Sequence, residues 1–327
     1  MRTLVTGSSG HLGQALVRTL RAAGESVVGV DVKAGEATDV VASVSDRDAM
    51  AALVADADAI LHTATLHKPH IVTHSRQQFV DTNVSGTLAL LDAAVEHGCE
   101  RFVFVSTTSV FGHAMRPGSD VPSAWVHEDL VPVPRNIYGV TKSCAEQLCE
   151  LAHGRDGLPV LVLRTSRFFP EIDDDEARRA ELEDANLKTV EFLNRRVSIE
   201  DVVSACLLAR ERAPALGFDR FIITGDSPFD ASDLAELRSA APAVLERRLP
   251  GTLERLRALG WRMSDGLDRV YSNARARERL GWEPRHDFLD ALRRVEETGD
   301  WRTPLAVAIG RKGYHDEVFT DGPYPVE

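Results

Sequence analysis

Glycines at positions 7, 10 and 13 stand where a short apolar run, Arg2-Thr3-Leu4-Val5-Thr6, gives way to a helical pattern. The run is β-branched and apolar, as a strand buried on both faces should be. In the pattern that follows, Leu12, Leu16 and Leu20 share one helical face. A strand that stops at a glycine and restarts as a helix gathers bare backbone N–H groups and the positive end of a helix dipole at one point. Such a point attracts a diphosphate. Glycine is required where the chain turns sharply, where phosphates approach the backbone, and where helix meets strand. This turn constrains the fold more than any other stretch.

A second strand, Ser26-Val27-Val28-Gly29-Val30-Asp31, ends on an acid eighteen residues beyond Gly13. A carboxylate there accepts hydrogen bonds from the ribose hydroxyls of an adenosine and repels a 2′-phosphate. The alternative is an ordinary αβ turn ending in a solvated Asp. The placement between strand and helix favours a dinucleotide site instead, and NAD over NADP.

Further strands are expected at 59–62, 101–106 and 159–164, with helices near 46–55, 75–97 and 136–152 between them. Alternating strand and helix means a parallel, doubly wound sheet of the Rossmann type. Residues 113–135 are Pro-rich and aperiodic and read as a long loop. Beyond Arg164 the order is less regular. A charge-dense helix is expected over Asp173–Asp184, returning strands at Val197–Ile199 and Phe218–Thr224, and a helix at Glu200–Glu211. Helical pieces follow at 231–248, 252–258, 274–280 and 287–297, and the tail from Trp301 has no strong pattern. The expected division is a dinucleotide-binding unit over 1–165, to which 197–225 returns. A smaller, mainly helical substrate region would comprise 166–196 and 226–327.

A chain of 327 residues with 43% hydrophobic content can bury a large core. The net charge of −12 disfavours nucleic acid and anionic membrane as partners, so an anionic substrate needs a local basic patch. No secretory or membrane-spanning segment is evident, and a cytoplasmic location is expected. Cys99, Cys144, Cys149 and Cys206 form no CxxC pair and read as reduced thiols.

Tyr138-Gly139-Val140-Thr141-Lys142 puts a phenol and an ammonium one helical turn apart. Free tyrosine has a pKa near 10, and a fixed cation nearby favours the phenolate. Such a tyrosine can take a proton from an alcohol as hydride leaves. Ser106-Thr107-Thr108-Ser109-Val110-Phe111-Gly112 follows the clearest strand, where ligands bind in parallel sheets. One of these hydroxyls could polarise the reacting oxygen. Strand-end capping is the alternative.

These pieces together resemble an extended short-chain dehydrogenase/reductase, similar in pattern to the nucleotide-sugar 4-epimerase group. The likeness rests on TGSSGHLG at 6–13, Asp31, NVSGT at 83–87, STTSVFG at 106–112 and YGVTK at 138–142. It extends through Glu128 to Pro134, Leu163-Arg164, IEDVV at 199–203 and LGWEP at 280–284. It implies that Thr107, Tyr138 and Lys142 are catalytic, Tyr138 as base and Lys142 on the nicotinamide ribose. It also implies NAD contacts at Gly7, Ser9, Gly10, His11, Leu12, Gly13, Asp31, Asp39, Val40, Ala64, Asn83 and Ser106. The substrate side would involve Thr108, Ser109, Arg167, Asn186, Arg196 and Arg262. Family members commonly pair through the helices here at about 75–97 and 136–152, which implies a homodimer.

The departures from the family pattern concern substrate. Thr108-Ser109 stands where dehydratases carry an Asp-Glu pair, which disfavours dehydration. Thr165-Ser166-Arg167 replaces the epimerases' Tyr-Phe-Asn run. Only Asn186-Leu187 and Asn194-Arg195-Arg196 remain of their longer nucleotide-binding segment, and Arg262-Met263-Ser264-Asp265 loosely matches a diphosphate-binding Arg-Pro-Gly-Asp. Arg167, Arg195, Arg196 and Arg262 could together bind an anion. His62, His67, His70 and His74 crowd one segment. The family covers its cofactor with this loop and needs no metal, so polar lining is the expectation there. The leading reading is a nucleotide-sugar 4-epimerase that holds NAD and works through a 4-keto intermediate. The alternatives are an NAD(P)H-dependent reductase or dehydrogenase of a smaller ketone or alcohol, and a non-catalytic NAD sensor.

Overall fold

The computed structural model describes residues 1–118, 120–173 and 176–313. Seven parallel strands form one sheet in the order β3-β2-β1-β4-β5-β7-β8. They are β1 (Arg2–Thr6), β2 (Ser26–Asp31), β3 (Val40–Val41), β4 (Ala59–His62), β5 (Arg101–Thr107), β7 (Val160–Thr165) and β8 (Phe218–Ile223). Helix α1 (His11–Ala22) follows β1.

Strand periodicity decides how the two faces are covered. In β5, Val103 and Val105 point into a core shared with Leu12, Leu16 and Leu20 of α1 and with helix Ile199–Leu216. Phe102 and Phe104 point the other way, against Met50, Leu90 and Ala145 from helices Arg47–Val54, Gly86–Glu96 and Ile137–Asp156. All six residues of β7 are buried. Leu16 and Leu20 are fully buried, and each contributes roughly 1.5–3 kcal/mol.

The expected long helix at 75–97 is interrupted. Arg76–Phe79 and Gly86–Glu96 flank a π-helical turn, Val80–Ser85. Within that turn Asn83 engages its amide with the neighbouring loop and helix. Val197–Ile199 is not a strand. Ser198 accepts a hydrogen bond from the Asp201 N–H and starts the helix at Ile199, leaving a single bridge between Arg167 and Arg196. The loop expected at 113–135 contains β6 (Ala124–Val126), which pairs with β9 (Arg269–Tyr271) in a two-stranded parallel ribbon. Neither strand has a period long enough to show in sequence.

The charge-dense stretch forms a short helix, Glu176–Glu181, and a second one, Asp184–Val190; residues 174 and 175 lie outside the described residues. A third core gathers Leu187, Phe192, Val244, Trp261, Phe288 and Leu292, all from beyond the first five sheet strands. In the tail, Pro304–Ile309 is helical, and residues from 314 onward lie outside the described residues.

Two acids of the 199–203 motif tie this second part to the sheet. Asp201 accepts the N–H groups of Arg285 and His286 at 2.8 and 3.0 Å. Glu200 accepts the Leu305 N–H at 2.8 Å and the Thr303 hydroxyl. Among the described residues no helix is long and apolar enough to cross a membrane.

Candidate active site

The carboxyl ends of β1, β2, β4, β5 and β7 open into a cleft of about 760 Å³, within the range of pockets that hold organic ligands. Gly7 has φ +72°, and a side chain there would strike Ala64 backbone at 2.7 Å. A Cβ on Gly13 would lie 2.0 Å from the Gly7 carbonyl, so helix and strand touch only because that position is bare. On Gly10 the nearest atom would be 3.2 Å away. That contact, with the Gly7 carbonyl oxygen, is tight, and Gly10 itself lines the cleft. The N-cap of α1 has no side-chain cap, which leaves first-turn N–H groups for a ligand.

Gly7, Ser9, Gly10, His11, Leu12 and Gly13 line this cleft, as do Asp31, Ala64, Ser106 and Tyr138. The Asp31 carboxylate accepts the Ser9 and Lys33 N–H groups at 3.0 and 2.9 Å, which holds it at the cleft rim. The turn, the open helix end and the rim carboxylate together fit a dinucleotide.

Four expected cofactor residues, Asp39, Val40, Asn83 and Lys142, do not line the cleft. Asp39 pairs with Arg21 at 2.8 Å and accepts the Gly29 N–H, and neither it nor Val40 reaches the cleft. Ser43 and Val44 line it instead, three to four residues further on. The Asp39 carboxylate holds the β2–β3 turn. Asn83 is one layer back. Its amide oxygen accepts from the Leu66 N–H and Thr65 hydroxyl, and its NH2 reaches the Leu66 carbonyl and Thr141, at 2.8–3.0 Å. It clamps the loop after β4 to the helix that carries Tyr138.

A smaller cavity of about 180 Å³ abuts the cleft, and Tyr138, His67, Thr165 and Phe169 face both. Thr107, Thr108 and Ser109 line the smaller one. The Thr107 hydroxyl accepts the Ser109 N–H at 3.1 Å and is hydrogen-bonded to the Tyr138 phenol. Burial pushes that phenol up to about 12, with the Thr107 hydrogen bond pulling the other way. The expected acidification by Lys142 is therefore not present in the protein alone. Lys142 donates to the Val105 carbonyl at 2.7 Å and sits 3.8 Å from the Phe104 ring centroid. Burial brings its own pKa down to about 7, against the raising charges of Cys149 and Glu146. Ser106 donates to Glu146 at 2.5 Å, and Glu146 is paired with buried Arg164 at 2.7 Å.

The expected substrate arginines separate. Arg167 and Arg196 line the smaller cavity, with Arg195 beside them. All three converge on buried Glu191: Arg196 at 2.6 Å, Arg167 at 3.6 Å, and Arg195 in direct contact. Arg167 also binds Asp173. Arg262 donates to the Glu181 carbonyl at 3.1 Å and does not reach the cavity. Asn186 is buried in a helix away from it.

Residues that the sequence reading passed over complete the walls. Arg116, Arg135 and Arg269 line the smaller cavity, two from the aperiodic loop and one from β9. Phe169 stacks on His67 at 5.6 Å, and Glu171 pairs with His11 at 2.7 Å. Burial alone would raise the Glu171 carboxyl, but His11 and the Lys312 amide hold it below its usual value. Lys312 reaches Gln14 and lines the cofactor cleft. The Phe168-Phe169-Pro170-Glu171 run at the end of a buried strand was the available signal; the tail offered none.

The histidines divide as well. His62 is 1% exposed, its Nδ1 2.7 Å from the Thr6 hydroxyl and its Nε2 3.0 Å from that of Thr87. Burial, helped by the Lys142 charge, lowers it to about 3. His70 Nδ1 accepts the His67 N–H at 3.0 Å. Among the described residues no three His, Cys, Asp or Glu side chains are grouped to hold a metal.

Residues 3–217 match the family described as the NAD dependent epimerase/dehydratase family. The chain is 28% identical to a UDP-glucose 4-epimerase of Azospirillum brasilense, over 95% of each chain. It is 31% identical to a 4-hydroxy-2-methyl-3-oxo-4-farnesyl-3,4-dihydroquinoline-1-oxide ketoreductase of Stigmatella aurantiaca, over 75% of this chain and 73% of that one. Among solved structures, a short-chain dehydrogenase/reductase superfamily protein from Agrobacterium tumefaciens with bound NAD superposes with a TM-score of 0.64. It is 24% identical and covers 91% of this chain and 99% of its own.

Proposed function

The chain belongs to the NAD dependent epimerase/dehydratase family, and from that premise we propose that it is a net dehydrogenase or reductase acting on a secondary alcohol or ketone in a compact substrate. It is an NAD-dependent enzyme of the extended short-chain dehydrogenase/reductase type. The observation that carries the proposal is the junction of the two cavities. Tyr138 and its Thr107 partner stand where the cofactor cleft opens into a cavity of only about 180 Å³. Of the residues that would anchor a long nucleotide, Arg262 donates to a backbone carbonyl and Asn186 is buried in a helix away from the cavity.

NAD, when bound, supplies the hydride acceptor and a positive charge beside the phenol. Gly7, Gly10 and Gly13 with the α1 N-terminus would hold its diphosphate, Asp31 the adenosine ribose, and Ser43 and Val44 the adenine end. In the oxidation direction Tyr138 acts as its phenolate, which the Thr107 hydroxyl stabilises by hydrogen bond; Oη takes the proton of the substrate hydroxyl and becomes neutral phenol as hydride leaves the carbinol carbon. Lys142 lies one helical turn from Tyr138, with its own pKa brought down to about 7 by burial. Phe169 and His67 exclude water from the wall between the ligands.

The second reading, epimerisation of a nucleotide sugar through a 4-keto intermediate, is supported by the full-length likeness to a UDP-glucose 4-epimerase. The two part on one experiment. The purified protein is denatured and its supernatant assayed for NAD, then fresh protein is mixed with NAD and a panel of polyols and sugar acids. An enzyme that arrives empty and accumulates NADH supports the dehydrogenase. Stoichiometric retained NAD and interconversion of UDP-glucose without net NADH supports the epimerase. NADH binding with no turnover at all would sink both in favour of a sensor.

We also propose a homodimer. Exposed Leu88 and Val95 on helix Gly86–Glu96, and Val140 and Leu151 on helix Ile137–Asp156, support pairing through this face. A monomer by sedimentation at micromolar concentration would remove it.

A further inference from the structure

We propose that Arg116 and Arg135 form an anion subsite that selects a small substrate bearing its own carboxylate or phosphate monoester group. This rests on the compact-substrate reading above and adds the charge that substrate must carry.

The chain as a whole is acidic, at −12, yet six arginines and one lysine line the smaller cavity against one carboxylate, Glu171. Most of those cations are already answered. Glu191 and Asp173 match Arg167, Arg195 and Arg196, and Asp268 matches Arg269 at 2.7 Å. Arg116 and Arg135 differ: among the described residues neither has a carboxylate within ion-pair distance. Each is exposed on the wall that also carries Thr107 and Tyr138. Partial burial of its guanidinium lowers the Arg116 pKa, and Arg135, Arg269 and Arg178 act repulsively in the same sense against the attractive charge of Asp268. Two like charges held toward one cavity cost free energy in the empty protein, and a bound oxyanion relieves that cost. The guanidinium fork matches a carboxylate or phosphate bidentately, so the pair fixes orientation as well as charge.

The backbone brings the two side chains together from opposite ends of one loop. Gly112 bridges to Val133, and the His113 N–H donates to the Val133 carbonyl at 2.8 Å. The loop so closed, through a parallel bridge, presents Arg116 and Arg135 on the same cavity as the catalytic hydroxyls. A substrate anchored there by its anion and at Tyr138 by its carbinol is held at both ends.

The test is calorimetric titration of the protein saturated with NADH, which prevents turnover, with D-glucuronate, D-glucose 6-phosphate, D-glucose and UDP-glucose. The expected result is that one of the two acidic monosaccharides binds roughly tenfold or more tightly than D-glucose, as a charged hydrogen-bonded anchor should. Which one identifies the carboxylate or the phosphate. Arg116→Ala and Arg135→Ala should each weaken that anion by roughly tenfold and leave D-glucose and NADH affinity unchanged. Arg116→Lys and Arg135→Lys should restore part of it, which a merely structural role would not predict. Equal binding of neutral and acidic sugars overturns the proposal, as does anion affinity indifferent to both alanine variants. Tighter binding of UDP-glucose than of either acidic monosaccharide overturns it too. Arginine-dependent anion binding without NADH formation from NAD leaves the subsite standing and sinks the redox reading. Turnover with a KM indifferent to both arginines sinks the subsite alone.

Discussion

Replacing His62 with glutamine should remove a specific part of the protein's acid sensitivity. The native imidazole titrates at about 3 because it is buried and faces the Lys142 charge, against an ordinary value of 6.5. Between those two pH values the unfolded chain binds a proton that the folded chain refuses, so stability rises with pH through the window and levels off above it. A window about 3.5 pH units wide corresponds to about 4.8 kcal/mol when crossed in full. Integrated only from pH 7.5 down to pH 5, the loss is about 2 kcal/mol. A glutamine side chain does not titrate, so that loss is absent from the variant. At pH 7.5 the variant should be less stable by about 1–3 kcal/mol, because Thr6 and Thr87 lose their 2.7 and 3.0 Å partner. The gap between wild type and variant should then narrow by about 2 kcal/mol at pH 5. Urea denaturation of both proteins at pH 7.5, 6.5 and 5.0 measures it, and titrating groups not coupled to His62 cancel in the difference. A gap constant to within about 0.5 kcal/mol across that range would refute the buried neutral imidazole.

Tyr138→Phe should lower kcat by roughly 10²–10⁴-fold while leaving NADH affinity, read by fluorescence, unchanged; a drop of less than roughly threefold would remove Tyr138 as the base. Gly13→Ala should cost about 3 kcal/mol or more in thermal unfolding, because its Cβ meets the Gly7 carbonyl at 2.0 Å and neither backbone can retreat. A wild-type Tm would show that helix and strand part more easily than the geometry allows. Asp31→Ala should weaken NADH by roughly tenfold and narrow its advantage over NADPH, since the acceptor at the rim and its repulsion of a 2′-phosphate go together. Titration of both coenzymes decides it. An unchanged ratio would place the ribose elsewhere.

Much of the sheet was legible because its strands are buried on both faces and read as unbroken apolar runs. Parallel order followed from alternation with helices. The dinucleotide turn was legible because its three glycines each answer a separate steric demand. What sequence could not show was the use to which an acid or an amide is put. Asp39 holds Arg21 and the Gly29 N–H, not a ligand, and Asn83 spends its hydrogen bonds on a loop and a helix. β6 and β9 are three residues each, too short for a period, and their pairing joins positions more than 140 apart. Arg116, Arg135 and Arg269 line one cavity because of that pairing and the loop closed beside it. No local pattern marks such residues.

Tyr138, His67, Thr165 and Phe169 form a common partition between two compartments. Whatever presses on that partition from one side is felt on the other, so the two occupants cannot have independent affinities. By thermodynamic reciprocity, the factor by which coenzyme tightens the hold on its co-ligand must equal the factor by which the co-ligand tightens the hold on coenzyme. A lineage that enlarged the smaller chamber by trimming Phe169 would loosen its grip on the nucleotide in the same stroke.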